Sequence, residues 1–295
     1  MLRKPNSLFV ISMGIIFLVL ITAPYLWGYL NAGREYAFGG FLLNPIDGNS
    51  YLAKMYQGWQ GRWRFTLPYT AQASRGVFLF MYYLILGHLN KLIGGSLQAT
   101  FHVARLAGSI LLLLSLWNFF GKVMPSRRSA RIAYAIAIFG SGFGWAAAAF
   151  GLFTSDFWVA EGYPFLSAYA NPHFPLGMAI LIWVLTPLTN GDFQRGRISG
   201  YGSDLLIVMA SFILGIILPF GLIIAGIVLG GLIVLDIWVR LVPVSGTPWQ
   251  AASSINKLWR FGALRKLIAL VIGGIPVLLY EVWITRSDPL LANWN

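Results

Sequence analysis

The chain has 295 residues, 58% of them hydrophobic and only 10% charged, with a net charge of +12. Soluble domains carry about 25% charged residues, so a soluble enzyme, a nucleic-acid-binding domain and a disordered tail are excluded, and the chain belongs in a bilayer. The absence of cysteine excludes a disulfide scaffold, thiolate chemistry and cysteine-based metal sites.

Arg3 and Lys4 precede an apolar stretch over 8–30. It is too long for a signal-peptide core and no A-x-A site follows, so it reads as an uncleaved first span with a cytoplasmic N-terminus. Further spans are expected at 97–120, 132–153, 172–188 and 267–284, each close to the roughly 20 apolar residues a crossing needs. The run 205–239 is too long for one crossing. Pro219-Phe220-Gly221 splits it into two, which brings the total to seven spans.

Segment 77–94 is apolar but ends in His88, Asn90 and Lys91, which suits the membrane interface better than a crossing. With 77–94 outside the count, Lys122, Arg127, Arg128 and Arg131 fall on the cytoplasmic side. Arg195, Arg197, Arg240, Lys257, Arg260, Arg265 and Lys266 then join them, as the positive-inside tendency demands. The expected fold is all-α: a polytopic membrane protein forming a single transmembrane domain over 1–295. A large first outer loop, 31–96, carries juxtamembrane helices, and a second outer loop covers 154–171. Glu35, Asp47, Asp156, Glu161 and Asp288 lie outside in this arrangement, while Asp192, Asp204 and Asp236 lie inside. Any chemistry therefore sits at the outer face.

Residues 47–63 read DGNSYLAKMYQGWQGRW. Leu52, Met55, Tyr56 and Trp59 recur at helical spacing and predict a surface helix with this face toward lipid or the spans. Asp47, Tyr51, Lys54 and Gly58 form the opposite face, expected to look into whatever the outer loops enclose. An aspartate opening a helix also reads as its N-cap. Asn171-Pro172-His173 is expected to start a span with Asn as cap and Pro at the first turn, its free N–H groups directed outward. Arg105 lies about eight residues inside its span, where an ion usually has a task.

The spacing of Asp47, Tyr51, Gly61 and Trp63 resembles the first outer loop of GT-C-type glycosyltransferases, which include the protein O-mannosyltransferases and the lipid A aminoarabinose transferases. The following surface helix, the span opening FHVAR over 101–105 and the basic cytoplasmic turn are similar too. The resemblance covers roughly 8–190. It implies transfer of a sugar from a polyprenyl-phosphate carrier to an acceptor on the outer face of the plasma membrane. By the same resemblance Asp47 activates the acceptor, with a further acid, Asp156 or Glu161, from the second loop. Lys54, Arg105 and His173 are the expected contacts of the donor phosphate, and Tyr51 and Arg75 line the substrate region. A Mg²⁺ or Mn²⁺ between carboxylates and phosphate is compatible with this chemistry but not required by any ligand cluster. Relatives continue through more spans and often a soluble outer domain, so the chain reads as an N-terminal fragment. The alternative function is a polytopic transporter or lipid flippase, and no nucleic-acid partner is expected.

The charge argument yields a direct check. In this cysteine-free chain, a single cysteine at Ser126 is expected to be shielded from an impermeant thiol reagent in intact cells. Labelling from outside would return 77–94 to the spans and invert the placement of the acids.

Overall fold

The computed structural model describes residues 7–140, 142–186, 200–241 and 253–293. Their order is α1 Ser7–Leu30, α2 Pro45–Trp59, α3 Met81–Ile93, α4 Leu97–Val123, α5 Arg127–Phe139 and α6 Gly144–Ala148. Two single 3₁₀ turns follow, Ser155–Phe157 and Ala160–Gly162, then α7 Pro164–Ala170 and α8 His173–Leu185. The remainder is α9 Gly200–Ile217, α10 Pro219–Leu241, α11 Ser253–Ser287 and α12 Pro289–Ala292. Strand-like pairing among the described residues is limited to one bridge, Phe65 with Val77.

The protein is all-helical and membrane-embedded. Among the described residues, three segments are long and apolar enough to cross a membrane: Leu8–Leu30, Leu97–Val123 and Gly262–Ser287. His173–Leu185, Gly202–Ile217 and Pro219–Leu235 are shorter apolar helices. The sequence pattern places seven spans where three reach full length. Two differences have clear physical causes. The expected span 132–153 is not continuous, because α5 stops at Phe139 and the glycine-rich run 140–144 follows it. Residues 154–171 are not simply a loop, since they contain α7, which packs on α1 and α5. The expected break at Pro219 is present: α9 ends at Ile217 and α10 starts at Pro219.

The described chain forms two compact units, one running up to Ala179 and the other from Ile180 on, with Gly121–Val123 grouped with the second. In the second unit α9 and α10 pack on α11. There the Lys266 ammonium donates to the Val184 and Thr186 carbonyls, both at 2.5 Å, satisfying helix-end acceptors with a cation. Arg265 pairs with Asp204 at 2.5 Å. Of the expected cytoplasmic charges, Arg3, Lys4, Asp192, Arg195 and Arg197, with the side chains of Asp236, Arg240, Lys257 and Arg260, lie outside the described residues.

In the first unit, α5 and α7 share one track beside α1. The Tyr134 ring of α5 meets Phe9 near the start of α1 (6.4 Å), and Phe139 meets Phe17 near its middle (6.0 Å). Phe165 of α7 also meets Phe17 (5.5 Å), and Tyr169 meets Tyr25 toward the C-terminal end of α1 (5.2 Å). The two helices thus occupy successive halves of the height of α1.

The 13 residues of α3 reach only about 20 Å at about 1.5 Å each, short of a bilayer core of about 30 Å. This is the length expected of an interfacial segment. Helix α3 lies against α2 instead. The crossing point is Gly58 against Gly87: a Cβ on Gly58 would strike the Leu84 carbonyl, and one on Gly87 the Met55 carbonyl. This packing sets the rotation of α2 about its own axis. Lys54, Gly58 and Met55 are buried, whereas Tyr56 and Trp59 are exposed. Lys54 and Gly58 of the polar face, expected to look into whatever the outer loops enclose, lie under α3, because only the Gly58 side admits another backbone.

Replacing Gly58 or Gly87 by Val is expected to force the two helices apart. Overpacking costs about 1–3 kcal/mol where a side chain can yield, and here the obstacle is backbone. The expected outcome is a lowered thermal midpoint in detergent for each variant, with Gly121→Val, which has open space around it, as the neutral comparison.

Candidate functional site

Helix α2 begins with Asn44 as N-cap and Pro45 at the first turn. Asp47 is therefore not the cap: it stands in the first turn, exposed, and its carboxylate accepts a hydrogen bond from the Asn44 side-chain amide. A carboxylate in a first turn is stabilised by the helix dipole. Asn44 holds φ 46°, a left-handed backbone that asparagine tolerates better than most residues.

One turn on, Tyr51 stacks on Tyr83 of α3, ring centroids 4.4 Å apart and 8° from parallel. The Tyr83 hydroxyl is hydrogen-bonded to His173 Nδ1 at 2.6 Å, where α8 begins. Tyr51 also meets the His173 ring edge-on at 5.2 Å. Burial raises both phenols above their usual range, Tyr83 well above it, and the negative charge of Asp47 pushes each further. Glu161 lies near enough for its charge to act on Tyr51 in the same direction. Both tyrosines therefore stay protonated and offer neutral hydroxyls.

Lys54 follows Tyr51 on the same face and is 5% exposed. Its ammonium donates to Ser50 Oγ at 3.1 Å. Aromatic faces surround it: Phe80 at 3.9 Å, Tyr51 at 4.8 Å and Phe65 at 5.9 Å from the ring centroids. Cation–π attraction of this kind offsets part of the desolvation cost. Burial still dominates over the attraction of Asp47 and lowers the Lys54 pKa to about 8. Phe80 reaches Lys54 from a strained backbone, φ 54° and ψ 32°, which is costly for a bulky side chain. Asn44 and Phe80, the two non-glycine residues with positive φ among the described residues, both touch this cluster.

The structure therefore gathers Asp47, Tyr51, Lys54 and His173, with Glu161 nearby. The other candidates stand apart. Arg105 is 1% exposed and is engaged by backbone: its Nη1 donates to the carbonyls of Ala168 (2.8 Å) and Ile21 (3.2 Å). Its Nε donates to His102 Nδ1 at 3.3 Å, and the guanidinium lies 4.5 Å from the Tyr25 ring centroid. The Asp156 carboxylate accepts from the Gly144 N–H at 2.8 Å and from the Thr154 hydroxyl. Arg75 is exposed on the loop between α2 and α3. Asn171 and Pro172 form the joint between α7 and α8.

Sequence reasoning missed Tyr83, Ser50 and Phe80. A visible signal existed for one: the Tyr82-Tyr83 pair places hydroxyls inside an otherwise apolar segment. Among the described residues no three His, Asp or Glu groups gather as a metal site requires, so no step is derived through a metal.

The lowered Lys54 pKa has a stability consequence. The unfolded chain keeps this amine protonated up to about its ordinary value of 10.5, and the fold only up to about 8. Between these values the unfolded state holds more proton, so stability rises with pH across that window and the penalty is complete below about pH 8. Lys54→Met is expected to raise the thermal midpoint at pH 7 and to flatten its pH dependence between 8 and 10.5. Thermal scans of both proteins across that range check it; an unchanged slope would show that Lys54 is freely solvated.

No family model matches this chain, and no curated protein or solved structure matches it either.

Proposed function

We propose that the chain transfers a sugar from a polyprenyl-phosphate carrier to an acceptor at the outer face of the plasma membrane, with its N-terminus in the cytoplasm. The observation that carries this reading is the pair formed on one helix by an exposed carboxylate, Asp47, and a buried ammonium, Lys54, less than two turns apart. Group transfer from a phosphate needs a base at one end of the reacting line and a cation at the other. The acceptor hydroxyl oxygen attacks the anomeric carbon as the carbon–oxygen bond to phosphate breaks. Asp47 takes the acceptor proton, and the carrier phosphate leaves with the electron pair, its new charge met by Lys54. Tyr51 and Tyr83 supply neutral hydroxyls for sugar or phosphate oxygens, and His173, tied to Tyr83, orients that group. Arg105 acts at a distance by holding α1, α4 and α7 together.

One observation favours the transporter reading instead: the helical track of α5 and α7 is interrupted midway, as in transporters that build sites from broken helices. Substrate counterflow in vesicles separates that activity from sugar transfer.

The test of the main reading uses the purified chain in liposomes with a radiolabelled polyprenyl-phosphate hexose and mixed lipid and peptide acceptors. Asp47→Asn keeps the shape of the side chain, so it is expected to bind donor normally while transfer falls by roughly 10²–10⁴, the usual worth of a general base. Lys54→Met is expected to weaken donor binding as well. Transfer by Asp47→Asn at the parent rate, alongside abolition by Glu161→Gln, would move the base to Glu161. Unchanged donor affinity in Lys54→Met would remove the phosphate assignment.

A further inference from the structure

Independently of any transfer chemistry, the connection between α5 and α7 has an unusual position. Together these helices supply 13 and 7 residues, about 30 Å of helix at about 1.5 Å per residue, close to the thickness of a bilayer core. They behave as one crossing cut in two. The cut lies where Phe139 and Phe165 both meet Phe17, near the middle of the 24-residue α1. The intervening chain therefore leaves and rejoins the helical track at mid-membrane height.

Its chemistry matches that height. Phe143, Phe150, Leu152, Phe153 and Trp158 are between 61% and 85% exposed. Asp156 is the one acidic or basic residue between Arg131 and Glu161. Irregular backbone at membrane depth must find internal partners, and this segment does: Phe150, Gly151 and Leu152 donate to the carbonyls of Ala147 and Ala148. Phe157, Trp158 and Val159 donate to Thr154 and Ser155 carbonyls. The single carboxylate accepts hydrogen bonds from the Gly144 N–H and the Thr154 hydroxyl, which ties the two ends of the excursion to each other. What remains outward is aromatic and aliphatic.

We infer that residues 142–159 form a re-entrant excursion whose aromatic face packs against the acyl chains of the surrounding bilayer, and not an aqueous loop. Bilayer lipid is the occupant that the mid-height of the exit, the exposed aromatic side chains and the single, hydrogen-bonded charge select. The segment is then the lateral wall of the first unit, and Asp156 is a positioning residue that closes it.

The absence of cysteine allows a direct test. Single cysteines at Phe143, Phe150 and Phe153 are spin-labelled in the full chain, reconstituted in phosphatidylcholine–phosphatidylglycerol vesicles. Collision with oxygen is compared with collision with a water-soluble nickel chelate. Ile15, exposed on α1, gives the hydrocarbon reference, and Thr70 in the exposed loop between α2 and α3 the aqueous one. All three labels are expected to favour oxygen several-fold, as at Ile15. Since these side chains are exposed, labelling should leave the fold intact, and gel filtration of each variant checks this. Preference for the nickel reagent, as at Thr70, would place the segment in water and overturn the inference. Shielding from both reagents would show a protein partner on this face and overturn it equally. Asp156→Ala supplies a second readout: losing the tie should broaden label mobility at Phe150 and Phe153, and unchanged spectra would remove its positioning role.

Discussion

Two helices meet backbone to backbone only where neither carries a side chain, and the site hangs on such a meeting. Gly58 of α2 rests on the Leu84 carbonyl, and Gly87 of α3 on the Met55 carbonyl. This fixes the rotation of α2 about its own axis. With Gly58 facing α3, the residues one and two turns earlier on that face, Lys54 and Tyr51, must face it as well. Tyr51 then lies flat on Tyr83, and Lys54 is closed in by Phe80 at the start of α3. Periodicity had ranked the faces of α2 by hydrophobicity alone. Shape adds what that ranking omits, because glycine contributes little to a hydrophobic face and yet is the residue that lets backbones touch.

A second constraint sets the position of Asp47 from the opposite side. Arg105 gathers carbonyls from α1 and α7 and holds His102 by one ring nitrogen, so that His102 Nε2 meets the Gly40 carbonyl at 3.0 Å. Gln98 donates to the Gly39 carbonyl at 2.9 Å. The chain entering α2 is thus pinned to α4 a few residues before Asn44 and Asp47. A buried guanidinium satisfied by carbonyls and one imidazole is costly to desolvate but gives directional hold. The same residue that looked like a phosphate contact when read as an intramembrane ion is, in the fold, a clasp among three helices.

How much of this was legible follows from what each signal depends on. The all-helical membrane character, the first span, the break at Pro219 and the interfacial length of 77–94 rest on composition, run length and proline. These are local properties that the sequence carries openly. The interruption of 132–153 was hidden because an apolar run does not distinguish a continuous helix from one split by glycines and folded back. That Asp47, Tyr51 and Lys54 share one helix face was legible in their spacing, whereas the approach of His173 to Tyr51 and Tyr83 is a tertiary matter. Tyr83 and Phe80 were invisible because their roles arise only when α3 crosses α2. Asp156 carried the charge of a candidate acid, but whether a carboxylate faces substrate or the Gly144 N–H is a tertiary matter.

The cluster around Lys54 is held together at a cost that packing alone would not select. A desolvated ammonium, a left-handed Phe80 and a left-handed Asn44 each work against folding, and each would be relieved by a small substitution. Cores without a task settle such positions with apolar side chains and unstrained backbone. Here the opposing terms converge on one side of one helix, between an exposed carboxylate and the first residue of α8. Burial lowers the pKa of the amine to about 8, which leaves it cationic at neutral pH but within reach of deprotonation. It also strips the amine of the water that would weaken its hold on an anion. The protonated tyrosines beside it add donors without adding charge. A surface lysine would be more stable and would bind an anionic group only weakly; on the function proposed above, binding the carrier phosphate at Lys54 restores what folding gave up.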